Sequence, residues 1–250
     1  MPHKVMGEDD AAHLDAMVSP HHRAFVESVL SKFGVPALPE DRRSSAITGW
    51  MHKHALRQVE IALSHPIALL ANALGSPPKE VIEQAHAKGI KVAALAGRPR
   101  HAARHVEAGV DIVIAVGHEA GGHTGDVTTM VLVPEVVKAV APVPVLAAGG
   151  IGTGAQIAAS LALGAEGVWM GSIWLTTEEY TLEPKTDNGL SVVQNKLLAA
   201  TSSDTVRSRV ISGKPARMLK TAWTEAWVAE GSPGTLPMPL QGVLVAEAEA

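Results

Sequence analysis

At 250 residues, 46% of them apolar and none of them cysteine, the chain has ample material for a core but cannot form disulfides, thiolate nucleophiles or iron–sulfur clusters. A net charge of −4 drawn from mixed signs gives no basic footprint for nucleic acid or an anionic membrane, and no apolar run approaches the ~20 residues that cross a bilayer. The polar start "MPHKVMGEDD" lacks a signal core, and together with the missing cysteines it points to a cytoplasmic protein.

Residues 1–45 read as a polar N-terminal segment with one helix, at "PHHRAFVESVLSKF". Residues 46–180 read as the core, opened by a helix in "ITGWMHKHALRQVEIALSH". From "PIALLANALG" onward one theme recurs: a short apolar strand, a glycine, then a helix closed by another glycine. Pro77 and Pro78 suit the start of the helix "KEVIEQAHAKG", because the missing N–H is harmless there, and Gly89 suits its left-handed end. "IKVAALAG" and "VDIVIAVG" are the next strands, separated by a helix at "RPRHAARHVEAG". "VPEVVKAVAP" reads as helix, "VPVLAAGG" as strand, "TGAQIAASLALG" as helix and "EGVWMGSIWL" as the last strand. Residues 181–250 read as a C-terminal extension with helices at "SVVQNKLLAA" and "PARMLKTAWTEAWVAE"; "GSPGTLPMPLQG" is too rich in proline and glycine for either regular element.

The strands are apolar throughout rather than alternating, as expected of a parallel sheet covered on both faces. Strand–helix alternation with short loops predicts an α/β fold, doubly wound or barrel, and both carry their chemistry at the carboxyl ends of the strands. Gly97, Gly117, Gly149, Gly150 and Gly171 all fall at such ends.

Two stretches carry candidate chemistry. "HEAGGH" superficially matches a zinc-protease helix, but His118 and His123 are five apart, which on a helix turns the second about 140° away from the first. Gly121 and Gly122 between them also disfavour helix, so no metal site is expected. "GIGTGA" matches a dinucleotide fingerprint, yet the strand after it ends "VWMGSIW" without the acid that would hold a ribose. In a barrel, by contrast, phosphate sits between the last two strand ends. There Gly149–Gly150 and Gly171–Ser172 would offer backbone N–H groups to the anion.

"GHEAGGHTG", "PVLAAGGIGTG", "ALGAEGVWMGSIWL" and "SGKPARMLKTAWTEAW" together resemble the nitronate monooxygenase (2-nitropropane dioxygenase) family over roughly residues 46–240. The resemblance implies a TIM-type (β/α)8 flavin barrel, of which about five of the eight βα units are evident, the N-terminal part of the barrel not being recognisable. It further implies an FMN-dependent oxidation of nitronates by dioxygen to carbonyl compounds and nitrite. On that resemblance His123 takes the catalytic position, Gly121 and Gly122 line the flavin, and Gly149, Gly150, Gly171 and Ser172 hold the FMN phosphate. His118 receives no role, and Glu119 is expected to order the loop by hydrogen bonding. The "EAGGH" loop is also similar to FMN-dependent enoyl-acyl-carrier-protein reductases, so a related NAD(P)H reductase acting on enoyl thioesters or quinones is the alternative. The expected partners are a small nitroalkane or nitronate and dioxygen, with neither nucleic acid nor membrane; self-association stays open. With the barrel incomplete, weak FMN binding by this chain alone is expected.

Overall fold

The computed structural model of the chain describes residues 8–36 and 52–249. The start of the helix expected from residue 46 therefore lies outside the described residues. Of the described residues, 62–205 form one compact unit, and those before 62 together with those after 205 form another.

In chain order, helices α1 (Glu8–Met17) and α2 (Pro20–Lys32) are followed by α3 (His52–Leu63). Five strands come next: β1 (Leu69–Asn72), β2 (Lys91–Ala96), β3 (Ile112–Val116), β4 (Val145–Ala148) and β5 (Gly167–Trp169). Helices α4 (Lys79–Ala87), α5 (Pro99–Glu107), α6 (Thr129–Val140) and α7 (Gly154–Ala162) connect them in turn. The strands lie parallel in their sequence order, with Ala93 beside Ile112, Val113 beside Val145 and Leu146 beside Gly167. Nowhere does the order reverse, so the winding is that of a barrel and not of a doubly wound sheet, whose defining feature is such a reversal. Five strands in line make an open segment of that barrel, with β1 and β5 as its edges.

The two faces of this sheet are covered differently. On one, Val113, Ala115, Val145 and Ala147 pack against Leu132, Val133, Val136 and Val140 of α6 and Ala102 of α5. On the other, Ala93, Ile114 and Ala148 form an apolar layer with Leu69, Leu95, Ile112, Val116 and Leu146, all of them strand residues. Such a layer is what the interior of a barrel consists of.

After β5 the backbone does not continue extended through "GSIWL" as the sequence suggests. Gly149 turns away at φ +113° just past β4, leaving no strand for pairing beyond Trp169. Residues Ser172–Thr176 instead close into a 3₁₀ turn, in which the Trp174 N–H donates to the Gly171 carbonyl at 3.0 Å. Helix α8 (Val192–Ala199) completes this unit, its Ser191 and Gln194 forming a reciprocal cap.

In the other unit, β6 (Thr205–Ser208) and β7 (Ala216–Leu219) are neighbouring strands, followed by α9 (Ala222–Ala226) and α10 (Leu240–Glu249). The helix expected across "PARMLKTAWTEAWVAE" is thus a strand and a short helix. Thr221 separates them: its hydroxyl accepts the Thr224 N–H and starts α9 afresh. The core here is Val18, Val26, Val210, Trp227, Val243 and Leu244, with Phe25 and Trp223 meeting Trp227 edge-on at 4.8 and 5.7 Å between ring centroids. Among the described residues no helix is long and apolar enough to cross a membrane, and no cluster of three metal-ligating side chains occurs.

Candidate functional site at the carboxyl ends of the strands

The loops after β3, β4 and β5 leave one end of the sheet and converge. The loop after β3 is closed at its base by the His118 N–H donating to the Val127 carbonyl at 2.8 Å. Within it Glu119 reaches α6. Thr128, the N-cap, makes no side-chain cap bond, and the Glu119 carboxylate takes its place. Its Oε2 accepts both the Thr129 N–H and the Thr129 hydroxyl, each at 2.8 Å. A negative charge at this end of a helix is stabilised by the aligned peptide dipoles. The Thr129 hydroxyl also lies 3.1 Å from the Gly149 carbonyl, so Thr129 ties the loop after β3 to the turn after β4.

That turn runs through two left-handed residues, Gly149 at φ +113° and Gly150 at φ +70°. A Cβ at Gly150 would meet the Glu119 Cβ at 2.9 Å, and one at Gly149 would lie 3.1 Å from the Ala120 nitrogen. The two loops therefore touch backbone to backbone where only glycine fits. The contact extends to the loop after β5, since a Cβ at Gly121 would come within 2.6 Å of the Ser172 hydroxyl. Beside Gly171 there is open space. Among the described residues, the N–H groups of Gly150, Ile151, Gly171 and Ser172 have no hydrogen-bond acceptor.

Gly121, Gly149, Gly150 and Ser172 are thus brought together, with Gly171 beside them. Gly122, at φ +79°, and His123 form a two-residue extended stretch at the exposed tip of the loop after β3. The His118 ring sits near the loop base, its Nδ1 3.3 Å from the Gly125 carbonyl. Sequence reasoning passed over Thr129 and Gln156. Gln156 was legible: Thr153 followed three residues later by glutamine is the capping-box signature. Thr129 carried no comparable signal, because its role depends on two partners ten and twenty residues away.

A singly wound parallel sheet whose last three strand-end loops meet through glycines is one side of a (β/α)8 barrel. The chain belongs to the nitronate monooxygenase family, whose profile matches residues 39–244. It is 53% identical to "Putative monooxygenase Rv1533" of Mycobacterium tuberculosis, over 99% of this chain and 66% of that protein. Among solved structures, FabK from Thermotoga maritima is 37% identical over 65% of this chain and 50% of that one, with a TM-score of 0.58. The nitroalkane oxidase from Streptomyces ansochromogenes, 24% identical, shares the fold over 99% of this chain and 66% of that one, with a TM-score of 0.72. The chain thus spans between half and two thirds of the length of these relatives.

Proposed function

We propose that this chain carries the flavin-phosphate side of an FMN-dependent oxidoreductase that oxidises alkyl nitronates with dioxygen, giving carbonyl compounds and nitrite. One observation carries the reading: the Gly149–Gly150 turn and the Gly171–Ser172 turn flank Gly121, and their N–H groups lack acceptors among the described residues. Backbone donors on turns built around glycine suit a doubly charged phosphate, because the anion can approach them closely and is desolvated onto fixed dipoles. Glu119 is not part of that grip. Its carboxylate is spent on Thr129, which keeps its charge directed at α6.

FMN, when bound, supplies the electron acceptance from substrate and the delivery to dioxygen; the chain supplies placement and proton handling. Gly121 and Gly122 would let the loop lie flat beside the ring. His123, on the exposed stretch next to them, would act as base toward the carbon acid or orient the nitronate, since imidazole accepts a proton near neutral pH.

The test is to load a form extended to the full length of its relatives with FMN and follow nitronate-dependent oxygen uptake and nitrite release. His123→Ala should lower turnover about 10²-fold with FMN affinity unchanged, as loss of a general base does. Unaltered turnover removes His123 from the reaction. A second reading, an NAD(P)H-dependent reductase, is favoured by the likeness to FabK from Thermotoga maritima. Anaerobic reduction of the bound flavin by NADH, with none by nitronate, would select it.

A further inference from the structure

Gln156, on the first turn of α7, makes more side-chain hydrogen bonds than a helix cap requires. Its Oε1 accepts from the Gly152 N–H at 2.8 Å, from the Thr153 N–H at 3.0 Å and from the Thr153 hydroxyl at 3.0 Å. Its Nε2 donates to the Gly150 carbonyl at 2.6 Å. The last contact is the informative one. A capping box needs only the acceptor, whereas a donor to Gly150 fixes the peptide plane between Gly150 and Ile151. In a peptide plane the carbonyl and the following N–H point opposite ways, so pulling the Gly150 carbonyl toward Gln156 aims the Ile151 N–H away from it. That N–H is one of the donors without an acceptor.

The side chain also withdraws two competing donors. The Gly152 and Thr153 N–H groups are turned onto Oε1 and leave the phosphate to Gly150, Ile151 and the loop after β5. We infer that Gln156 is a positioning residue for anion recognition: its amide sets the left-handed Gly149–Gly150 turn in the shape that presents N–H groups to the FMN phosphate. This rests on the flavin-phosphate reading above. A glutamate at the same place would still accept from Gly152 and Thr153. It could not donate to Gly150, and it would bring a negative charge beside the phosphate.

The whole chain is titrated with FMN and with riboflavin, which has the same ring system and no phosphate, and binding is followed by flavin fluorescence. Gln156→Ala should weaken FMN roughly tenfold, the scale on which losing preorganised donors acts, and leave riboflavin unchanged. Gln156→Glu keeps the cap and decides the matter if the alanine variant does not fold. It should weaken FMN further, with riboflavin again unchanged. FMN binding that is unaltered or tighter in the folded variants overturns the role; tighter binding would mean that Gln156 competes with the anion. Equal weakening of both ligands also overturns it, since that marks a general loss of structure. If the parent chain binds riboflavin as well as FMN, or binds neither, the flavin-phosphate reading itself fails. If the parent prefers FMN and the variants keep that preference, only the part given to Gln156 fails.

Discussion

The loops after β3 and β4 leave the same end of one sheet, yet they are held in opposite ways. Residues 149–153 connect β4 to α7 in a few steps, through two left-handed glycines and the bonds of one glutamine. Residues 117–128 connect β3 to α6 by a longer arm, fastened at its base by His118 to Val127 and by Glu119 to Thr129, with Gly121, Gly122 and His123 exposed at its tip. The short loop has lost its freedom before any ligand arrives, which favours recognition of a group with fixed geometry and charge. The long arm carries an imidazole at its exposed tip from a fixed base, the arrangement that the proposed function would use on a substrate that must enter and leave. On the proposed reading, placement by main chain and chemistry by side chain are divided between these neighbouring loops.

Gly117→Ala is the sharpest way to break this contrast, because it attacks the base that makes the long arm well placed. A Cβ there would come within 2.6 Å of the Thr129 Cα and closer still to its hydroxyl, so the first turn of α6 would have to move. Overpacking of this kind should destabilise the chain by about 3 kcal/mol in urea unfolding. A cost below roughly 0.5 kcal/mol, the range of an ordinary surface change, would mean the α6 start yields freely and the base is not rigid.

Glu119→Ala tests the same base with a smaller expected effect. It removes the acceptor for the Thr129 N–H and hydroxyl together with the charge at the helix end. The loss should be about 1–2 kcal/mol, as for a helix cap with a favourable dipole contact. Glu119→Gln keeps an acceptor and drops the charge, so it should recover most of that loss. If both variants cost the same, the charge and not the hydrogen bonds is what holds the loop.

The unequal legibility of the two loops has a physical reason. The α/β class, the five parallel strands and the glycines at their ends could be read from the sequence, because apolar runs and glycine punctuation are local. The end of β5 could not. "EGVWMGSIWL" looks like strand for its whole length, and it stops at Trp169 only because β4, its partner, has already turned at Gly149. "PARML" read as helix for a similar reason, its strand form depending on the neighbouring β6. The pairing of Gly121 with Ser172 was likewise invisible, since fifty residues separate them. Gln156 was visible as a cap but not as a tie to Gly150, because a capping box predicts only an acceptor.

The loop after β1 offers a third arrangement at this end of the sheet, and the smallest of the expected effects. Here the clamp is titratable. His105 on α5 is only 3% exposed, its Nδ1 lying 2.8 Å from the Ser76 hydroxyl and its Nε2 3.1 Å from the Leu95 carbonyl. The neutral ring satisfies both neighbours when Nε2–H donates to Leu95 and Nδ1 accepts from Ser76. Burial holds its pKa below the ordinary value, against the Leu95 carbonyl, which favours the charged form. A histidine whose folded pKa is depressed contributes stability that is whole above its unfolded value of about 6.5 and is lost as the pH falls through that value toward the folded one. His101 on the same helix is also held low, by its burial and then by Arg100, so it titrates in the same direction. The comparison therefore belongs in a His101→Gln background. There the urea midpoint should decline as the pH is taken from about 7.5 to about 5.5, the interval that brackets the ordinary imidazole pKa. Adding His105→Gln should flatten that decline. The Asp111 carboxylate does not confuse the result: its own burial, which would raise the pKa, is outweighed by donors from Val92, His86 and Lys91. Its stabilisation is lost only at lower pH, through and below the ordinary carboxylate range. A slope that survives both glutamine substitutions would show that the Ser76–His105 clamp does not hold this loop through a neutral ring.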